Sequence, residues 1–95
     1  MEYETTPEFE AWVTALENTE VITEIVTRLS RVERGLLGDT KGVGEGVNEL
    51  RLKYTNHRLY YGYKNNKLIL FLCGGPKSSQ KKDIPKAKKL AKRYL

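Results

Sequence analysis

The chain has 95 residues and a net charge of +5, and its 39% apolar and 31% charged residues are typical of a soluble globular protein. At this length one hydrophobic core is expected, so residues 1–95 are predicted to form a single domain. The longest apolar run, residues 68–73, is too short to span a bilayer, and the acidic N-terminus lacks a secretory signal. A single cysteine cannot form an internal disulfide. We therefore expect a cytoplasmic protein without membrane contact.

Charge is divided unequally between the two halves of the chain. Residues 1–50 carry 4 Lys and Arg against 11 Asp and Glu, a net charge of −7, whereas residues 51–95 carry 13 against 1, a net charge of +12. A cationic segment of this strength fits a nucleic acid or an acidic protein partner. The second half is therefore predicted to bind an anion.

A short strand and two helices are predicted for the first part of the chain. Residues 2–5 can form a strand, and residues 6–8, Thr-Pro-Glu, supply an N-cap, a proline at the first helical position and an acid in the first turn. Two apolar stripes at helical spacing follow, separated at residues 17–18 and ended by Gly35 as a C-cap. The stripes are Phe9, Trp12, Val13 and Leu16, then Ile22, Ile25, Val26, Leu29 and Val32. We expect the two helices to pack as a hairpin.

Residues 36–46, LLGDTKGVGEG, contain four glycines and no periodicity, which predicts a connecting loop. A phosphate-binding loop does not fit, because the G-x-x-x-x-G-K-[ST] spacing is absent and no helix opens after it.

Three strands and a final helix are predicted for the rest of the chain. The strands cover residues 47–54, 57–64 and 67–73, and two-residue turns containing asparagine join them into an antiparallel meander. The tail SQKKDIPKAKKLAKRYL has apolar residues at helical spacing with lysine elsewhere, which predicts a basic amphipathic helix that begins or breaks at Pro85. The predicted fold class is α+β, with an N-terminal helical hairpin packed on a twisted antiparallel β-sheet and a basic C-terminal helix.

One face of the predicted sheet combines cations with aromatic rings. The two-residue turns place Lys53 opposite Arg58, Arg51 opposite Tyr60, and Tyr60 opposite Phe71. Alternation sends the remaining strand residues to the face beneath the helices: Leu50, Leu52, Tyr54, Leu59, Tyr61, Tyr63, Leu68, Leu70 and Leu72. Arginine bonds phosphate oxygens and an aromatic ring offers a base a stacking surface, so the first face suits single-stranded RNA. The alternative is that this face is simply exposed to solvent and that its charged side chains prevent aggregation.

Residues 38–91 carry three motifs in an order that resembles the addiction-module killer, or HigB-like, branch of the RelE/ParE toxin superfamily. The chain reads GDTKGVGEGVNELR where the branch reads close to G-D-x-K-x-V-G-x-G-V-x-E-L-R. It then reads HRLYY at the motif Y-R-x-Y-Y/F, and GGPKSSQKKDI at G-G-x-K-S-x-Q-x-x-D-I. The upstream TPEFEAWVTAL resembles the opening of the family, so the resemblance covers nearly the whole chain.

The resemblance implies a RelE-like fold and a bacterial type II toxin. Related toxins cut messenger RNA on the ribosome without metal or cofactor, by attack of a 2′-hydroxyl on the adjacent phosphate. Matching the motifs implies catalytic roles for Arg51, Arg58 and Lys77, with Arg58 and Lys77 as phosphate cations and Arg51 as a second cation or proton-transfer group. Residues implied in substrate binding are Lys53, Tyr60, Gln80, Lys81 and Lys82, with Tyr60 as a stacking or orienting ring.

Other candidate side chains have competing interpretations. His57 stands where the family more often has tyrosine, and it can act as an acid or base, although its register with Leu59 predicts that it caps the core or a turn. The opposite parity of Cys73 argues against a thiolate–imidazole couple with His57. Gln80 and Asp83 either contact substrate or belong to a helix start capped by a serine. The spacing of His, Cys, Asp and Glu predicts no metal site.

The implied partners are a cognate helix-turn-helix antitoxin and messenger RNA on the ribosome, with operator DNA contacted only indirectly through the antitoxin. No tyrosine matches the C-terminal tyrosine of some ribosome-dependent members, so the proton donor stays unassigned. A gyrase-inhibiting ParE-like toxin and a degenerate, non-catalytic antitoxin-binding module or corepressor are therefore alternatives.

Overall fold

The computed structural model describes residues 1–95, in which five strands and three helices form an α+β fold. In chain order they are β1 (Tyr3–Thr5), α1 (Pro7–Ala15), α2 (Thr19–Glu33), β2 (Thr40–Gly44), β3 (Val47–Leu52), β4 (His57–Lys64), β5 (Leu68–Pro76), a 3₁₀ turn (Lys77–Ser79) and α3 (Gln80–Tyr94). The strands make one mixed sheet in the order β1-β5-β4-β3-β2, with β1 parallel to β5 and the other neighbours antiparallel. None of the helices combines the length and hydropathy needed to cross a membrane.

Local signals set the ends of α1 and α2 as predicted. The Thr6 hydroxyl accepts a hydrogen bond from Phe9 N at 3.0 Å and donates one to Leu72 O at 2.7 Å, which caps α1 and ties it to β5. Asn18 Oδ1 accepts from backbone N–H groups in the first turn of α2. Gly35, with a φ of +81°, ends α2, because a side chain is disfavoured in that left-handed conformation.

The buried stripe of α2 differs from the predicted one. Val21 and Arg28 are buried, whereas Ile22 is only half-buried and Val26 is exposed. Arg28 can lie on the buried side of the helix because its guanidinium donates to the backbone carbonyl groups of Arg51 and Leu37.

The loop predicted over residues 36–46 is wrong for its second half. Thr40–Gly44 forms the edge strand β2, paired with β3. The turn between them consists of Glu45 and Gly46, which both have positive φ, as two-residue hairpin turns require. This strand has no alternating apolar pattern because it lies exposed at the sheet edge, so only the glycine-rich turn signals it.

The predicted register between β3 and β4 is wrong by two residues. Arg51, not Lys53, lies opposite Arg58, and residues 53–56 form a four-residue loop. A shift of two residues preserves side-chain alternation, so Arg51 and Arg58 still share a face as predicted. Tyr54 moves from the predicted core into this loop, where it is 86% exposed. Tyr63, also predicted in the core, is exposed near the far end of β4.

The predicted faces of β5 are inverted in its first part. Three residues, 65–67, separate paired Lys64 and Leu68, so the two-residue turn is wrong by one residue and the side chains from Leu68 to Phe71 change face. A bulge then shifts the ladder beside Tyr60, so Cys73 lies on the face of Tyr60 and Arg58, as predicted. As a result Phe71 packs with α1 and α2, whereas Leu72 packs beneath α3.

Both faces of the sheet are covered by helices, so the open basic face predicted from sequence does not exist. Helices α1 and α2 cover one face and α3 covers the other. The second cluster consists of Val47, Tyr60, Leu70, Leu72, Cys73, Ala87, Leu90 and Ala91. Helix α3 continues through Pro85 rather than beginning or breaking there, because these apolar contacts compensate for the single hydrogen bond that proline cannot make.

Candidate functional site

Two of the predicted catalytic residues lie side by side on the face that α3 covers. Arg51 on β3 pairs directly with Arg58 on β4. The buried Glu49 carboxylate lies between them, with Oε1 3.2 Å from Arg51 Nε and 3.5 Å from Arg58 Nε. Gln80, at the start of α3, donates from Nε2 to Glu49 Oε2. We call these four residues the arginine cluster; its central carboxylate compensates the repulsion between two like charges across the ladder.

The two arginines differ in their access to solvent. The Arg51 side chain is 33% exposed, whereas that of Arg58 is 9% exposed. Arg58 donates from Nη1 to the His57 carbonyl at 3.0 Å, and its buried Nε forms no hydrogen bond. The prediction that Arg58 lies off the core is therefore wrong, because α3 packs over it. A ligand approaching from solvent would meet Arg51 first.

Asp39 extends the cluster toward the β3–β4 loop. Its carboxylate lies 3.8 Å from Arg51 Nη1 and 3.5 Å from Lys53 Nζ. Lys53 is 79% exposed, so its ion pair is screened by water and its ammonium group is open to a ligand. Asp39 connects the exposed Lys53 with the half-exposed Arg51.

Lys77 lies at the same end of the sheet as the arginine cluster. Gly75 pairs with Arg58, and two residues later Lys77 N donates to Asn56 O at 2.9 Å. The Lys77 side chain is exposed and forms no ion pair. The predicted substrate residues of the following helical turn, Lys81 and Lys82, are likewise exposed and unpaired.

The start of α3 is fixed by a side-chain contact instead of a serine cap. Ser79 stands at the N-cap position, but its hydroxyl bonds the Asp83 carboxylate and the Pro76 carbonyl, and it caps no backbone N–H. Asp83 is buried against Gly75, where a Cβ would overlap the Asp83 carboxylate. Asp83 therefore anchors the helix to β5, and Gly75 leaves room for it.

Tyr60 is not the surface ring that the sequence suggests. It is fully buried beneath α3, and its hydroxyl has no hydrogen-bond partner. Burial, followed by the nearby carboxylates of Glu49 and Asp83, raises the pKa of the phenol well above its usual range. In this arrangement Tyr60 offers no exposed face to a base, and its phenol holds its proton more tightly than a free tyrosine does.

His57 is the first residue of β4, and its ring caps the preceding turn, one of the two roles that its register predicts. Its Nδ1 lies 2.9 Å from the Thr55 carbonyl, and its ring centroid lies 6.5 Å from that of Trp12 on α1. Alternation along β4 directs His57 to the α1 face and the adjacent Arg58 to the α3 face. The sheet therefore separates His57 from the arginine cluster.

Cys73 is buried beneath α3, where burial raises the pKa of its thiol from 9.0 to about 12. The folded chain holds this proton more tightly than the unfolded chain, so the resulting stabilisation is complete below about pH 9 and is lost as the pH rises toward 12. We expect the free energy of unfolding, measured with urea, to fall over that range. Cys73→Ala should flatten only part of this slope, because the pKa of Tyr60 is also raised. A wild-type slope equal to that of Cys73→Ala would contradict the expectation.

Two charged residues of α2 that sequence reasoning missed hold the site in place. Arg28 donates from Nη1 to Arg51 O at 2.8 Å and from Nη2 to Leu37 O at 2.7 Å, and burial lowers the pKa of its guanidinium. Glu24 accepts hydrogen bonds from the backbone N–H groups of Tyr54 and Thr55. The available signal for Arg28 is its position within the buried stripe of α2, where a charged residue needs polar partners.

The two helical layers carry opposite charge. Residues 7–33, which include α1 and α2, hold six Glu and two Arg, whereas residues 77–95 hold eight Lys and Arg and one Asp. Lys88 pairs with Glu45 and Arg93 pairs with Glu8. The other cations of this segment form no ion pair: Lys77, Lys81, Lys82, Lys86, Lys89 and Lys92. The α3 side of the protein is thus an exposed polycation. No group of three His, Cys, Asp or Glu side chains is placed to hold a metal ion.

No family model and no solved structure matches the chain. A protein of Haemophilus influenzae, described only as an uncharacterized protein, is 39% identical over 92 residues, which covers 96% of this chain and 93% of that protein. Identity at this level extends over nearly the full length of both chains, and the chain therefore belongs to the same protein family as this uncharacterized Haemophilus influenzae protein.

Proposed function

We propose that the chain is the toxin of a type II toxin–antitoxin system, in the HigB-like branch of the RelE/ParE superfamily, and that it cleaves messenger RNA on the ribosome without a metal ion. In this proposal α1 and α2 are the helical hairpin of a RelE-like fold and the protein acts in the cytoplasm. The observation that carries it is the direct pairing of Arg51 and Arg58, with Lys77 at the same end of the sheet. The resemblance to the toxin motifs implies that Arg58 and Lys77 contact the phosphate and that Arg51 is a second cation or proton-transfer group.

The positive charge around the arginine cluster suits the transition state of a reaction at phosphorus. Attack of the 2′-oxygen forms a dianionic phosphorane, which nearby cations stabilise more strongly than they stabilise the starting monoanion. Three cations, Arg51, Lys53 and Arg58, pair with the two carboxylates Glu49 and Asp39, and the unpaired Lys77 lies at the same end of the sheet. An excess of positive charge remains for the substrate. Glu49 holds the guanidinium groups in place before the substrate arrives.

The proposed reaction forms a bond from the 2′-oxygen to phosphorus and breaks the bond from phosphorus to the 5′-oxygen. The 2′-hydroxyl loses its proton to a base and the departing 5′-oxygen gains a proton, which leaves a 2′,3′-cyclic phosphate and a 5′-hydroxyl. Tyr60 and His57 do not fit either role, because Tyr60 is buried and His57 lies across the sheet. Arg51 is the half-exposed group of the cluster, and we assign it charge stabilisation with a part in proton transfer.

The proposed neutralising partner is an antitoxin with its own helix-turn-helix for operator DNA. An acidic segment of that partner would compensate the +12 charge of residues 51–95 and cover Arg51 and Lys77. Charge complementarity would speed and orient association, and a rise in salt should slow it.

Induced expression tests the proposal directly. Growth should stop, primer extension should map cuts within translated codons, and co-expression of the neighbouring gene product should restore growth and give a co-purifying complex. Intact messenger RNA during growth arrest would refute the ribonuclease.

Inhibition of DNA gyrase by a ParE-like toxin is the alternative that one observation favours. Tyr60 lies beside Glu49 but is buried, and His57 lies across the sheet from the arginine cluster, so neither is open to a substrate as a proton donor. Gyrase inhibition requires no RNA chemistry. Double-strand breaks and loss of supercoiling activity, with messenger RNA intact, would support this alternative. Harmless expression with tight antitoxin binding would instead indicate a non-catalytic module or corepressor.

A further inference from the structure

Tyr54 is the most exposed large apolar side chain of the protein, with 86% of its surface open to solvent. It lies in the loop of residues 53–56 that joins β3 to β4, beside the exposed Lys53. A ring in this position adds nothing to either hydrophobic cluster. Core stability therefore does not explain why this ring is exposed.

The loop that carries Tyr54 is held by side chains and by the neighbouring turn. Glu24 on α2 accepts a hydrogen bond from Tyr54 N at 3.0 Å, and two more from Thr55, at 2.9 Å from N and 2.6 Å from Oγ1. On the other side, Asn56 O accepts from Lys77 N. A ring on a loop ordered in advance loses little conformational entropy when it binds a ligand.

The ring borders a groove that contains charged groups of both signs. Tyr54 and Lys53 lie at an open groove of about 590 Å³ along α2, which is also lined by Glu20, Glu24, Arg28, Arg31 and threonine side chains. The carboxylate of Glu24 in this groove is occupied by its three bonds to the loop. Arg31 and Lys53 are exposed, and Lys53 shares the Asp39 carboxylate with Arg51. The Asp39 carboxylate thus links Lys53, at the edge of the groove, to the arginine cluster.

We propose that the Tyr54 ring, with Lys53 next to it in the loop and Arg31 in the same groove, is a stacking site for one unpaired base of single-stranded RNA. The ring supplies a flat apolar face that any base can cover, and the two cations contact the adjoining phosphates. Residues 51–54 span at most about 10 Å, so the base would belong to a nucleotide near the phosphate at the arginine cluster. This assignment rests on the proposed RNA substrate and adds a subsite to it.

Fluorescence titration with a short single-stranded RNA tests the site. The probe carries 2-aminopurine, whose emission is quenched by stacking, and 2′-O-methyl riboses, which prevent cleavage and make the readout independent of catalysis. Tyr54→Ala should remove the quenching and weaken binding roughly 5- to 150-fold, which is the loss of affinity expected when one base–aromatic stacking contact is removed. Tyr54→Phe keeps the ring and should bind like the unchanged protein. Tyr63→Ala is the matched control, because it removes an exposed tyrosine near the far end of β4.

Unchanged affinity and quenching in Tyr54→Ala would overturn the inference, as would failure of the unchanged protein to bind the probe. Loss of antitoxin binding in Tyr54→Ala with RNA binding intact would overturn it too, since it would assign the ring to a protein interface. Cleavage in cells is scored separately. If the unchanged protein cuts messenger RNA but Tyr54→Ala binds the probe normally, only the stacking site is refuted. If the probe stacks on Tyr54 but no messenger RNA is cut, only the ribonuclease activity is refuted.

Discussion

If the protein cleaves RNA as proposed, replacing Arg51 with alanine is expected to lower the cleavage rate roughly 100- to 1,000-fold, the loss typical when one donor to a developing oxyanion is removed. The fold should persist, because Arg51 is half-exposed and Glu49 keeps its contacts with Arg58 and Gln80. Loss of a partly solvated ion pair costs about 1 kcal/mol or less. Cleavage rates at mapped sites and urea unfolding, measured on the same preparation, separate the two effects.

Arg34→Ala is the matched control for Arg51→Ala. Arg34 is exposed at the C-cap of α2 and makes no ion pair, so its removal changes the net charge equally without touching the arginine cluster. It should cleave like the unchanged protein. Arg51→Ala that unfolds normally and still cleaves at the original rate would exclude Arg51 from the chemistry.

The parts of the fold that could be predicted from sequence depend on local signals. Thr6 and Gly35 mark helix ends through hydrogen bonds and dihedral angles that involve only a few neighbouring residues. The parity of Arg51 and Arg58 was also predictable, since alternation along a strand survives a register shift of two. These features need no knowledge of what packs above the sheet.

Strand register could not be predicted, because it depends on turn lengths that the residues leave ambiguous. Asn65 and Asn66 both have positive φ, as a two-residue turn requires, yet Lys67 belongs to the turn as well. This single residue reversed the predicted side of Phe71. The bulge beside Tyr60 adds a second shift that no residue type marks.

The environment of the site depends on α3, whose position is a tertiary property. Its amphipathic pattern was visible, but the pattern does not say which surface the helix covers. Packing over β3–β5 buries Tyr60 and Arg58 and leaves Tyr54 as the exposed ring beside the site. Glu49 was missed because an acid on a strand normally faces solvent, although its position two residues before Arg51, on the same face, was an available signal.

Replacing Glu49 with alanine is expected to destabilise the protein by about 3–5 kcal/mol, the usual cost of breaking a buried ion pair from one side. The side chain of Glu49 is 1% exposed, and its loss leaves Arg58 buried with only the His57 carbonyl as an acceptor. Gln80 also loses its contact with the sheet, so the start of α3 should loosen. Against a typical stability of about 5–15 kcal/mol, this loss is large enough to shift the urea midpoint clearly.

Two further variants show whether charge is the cause. Glu45→Ala removes an exposed carboxylate paired with Lys88 and should cost about 1 kcal/mol or less. Glu49→Leu combined with Arg58→Met replaces the buried charges with apolar groups, and it should recover much of the stability lost in Glu49→Ala, because neither charge is then left unpaired. A double variant no more stable than Glu49→Ala would show that packing, not charge, sets the cost. Recovered stability with abolished cleavage would mean that the buried pair serves the phosphate chemistry at no benefit to the fold.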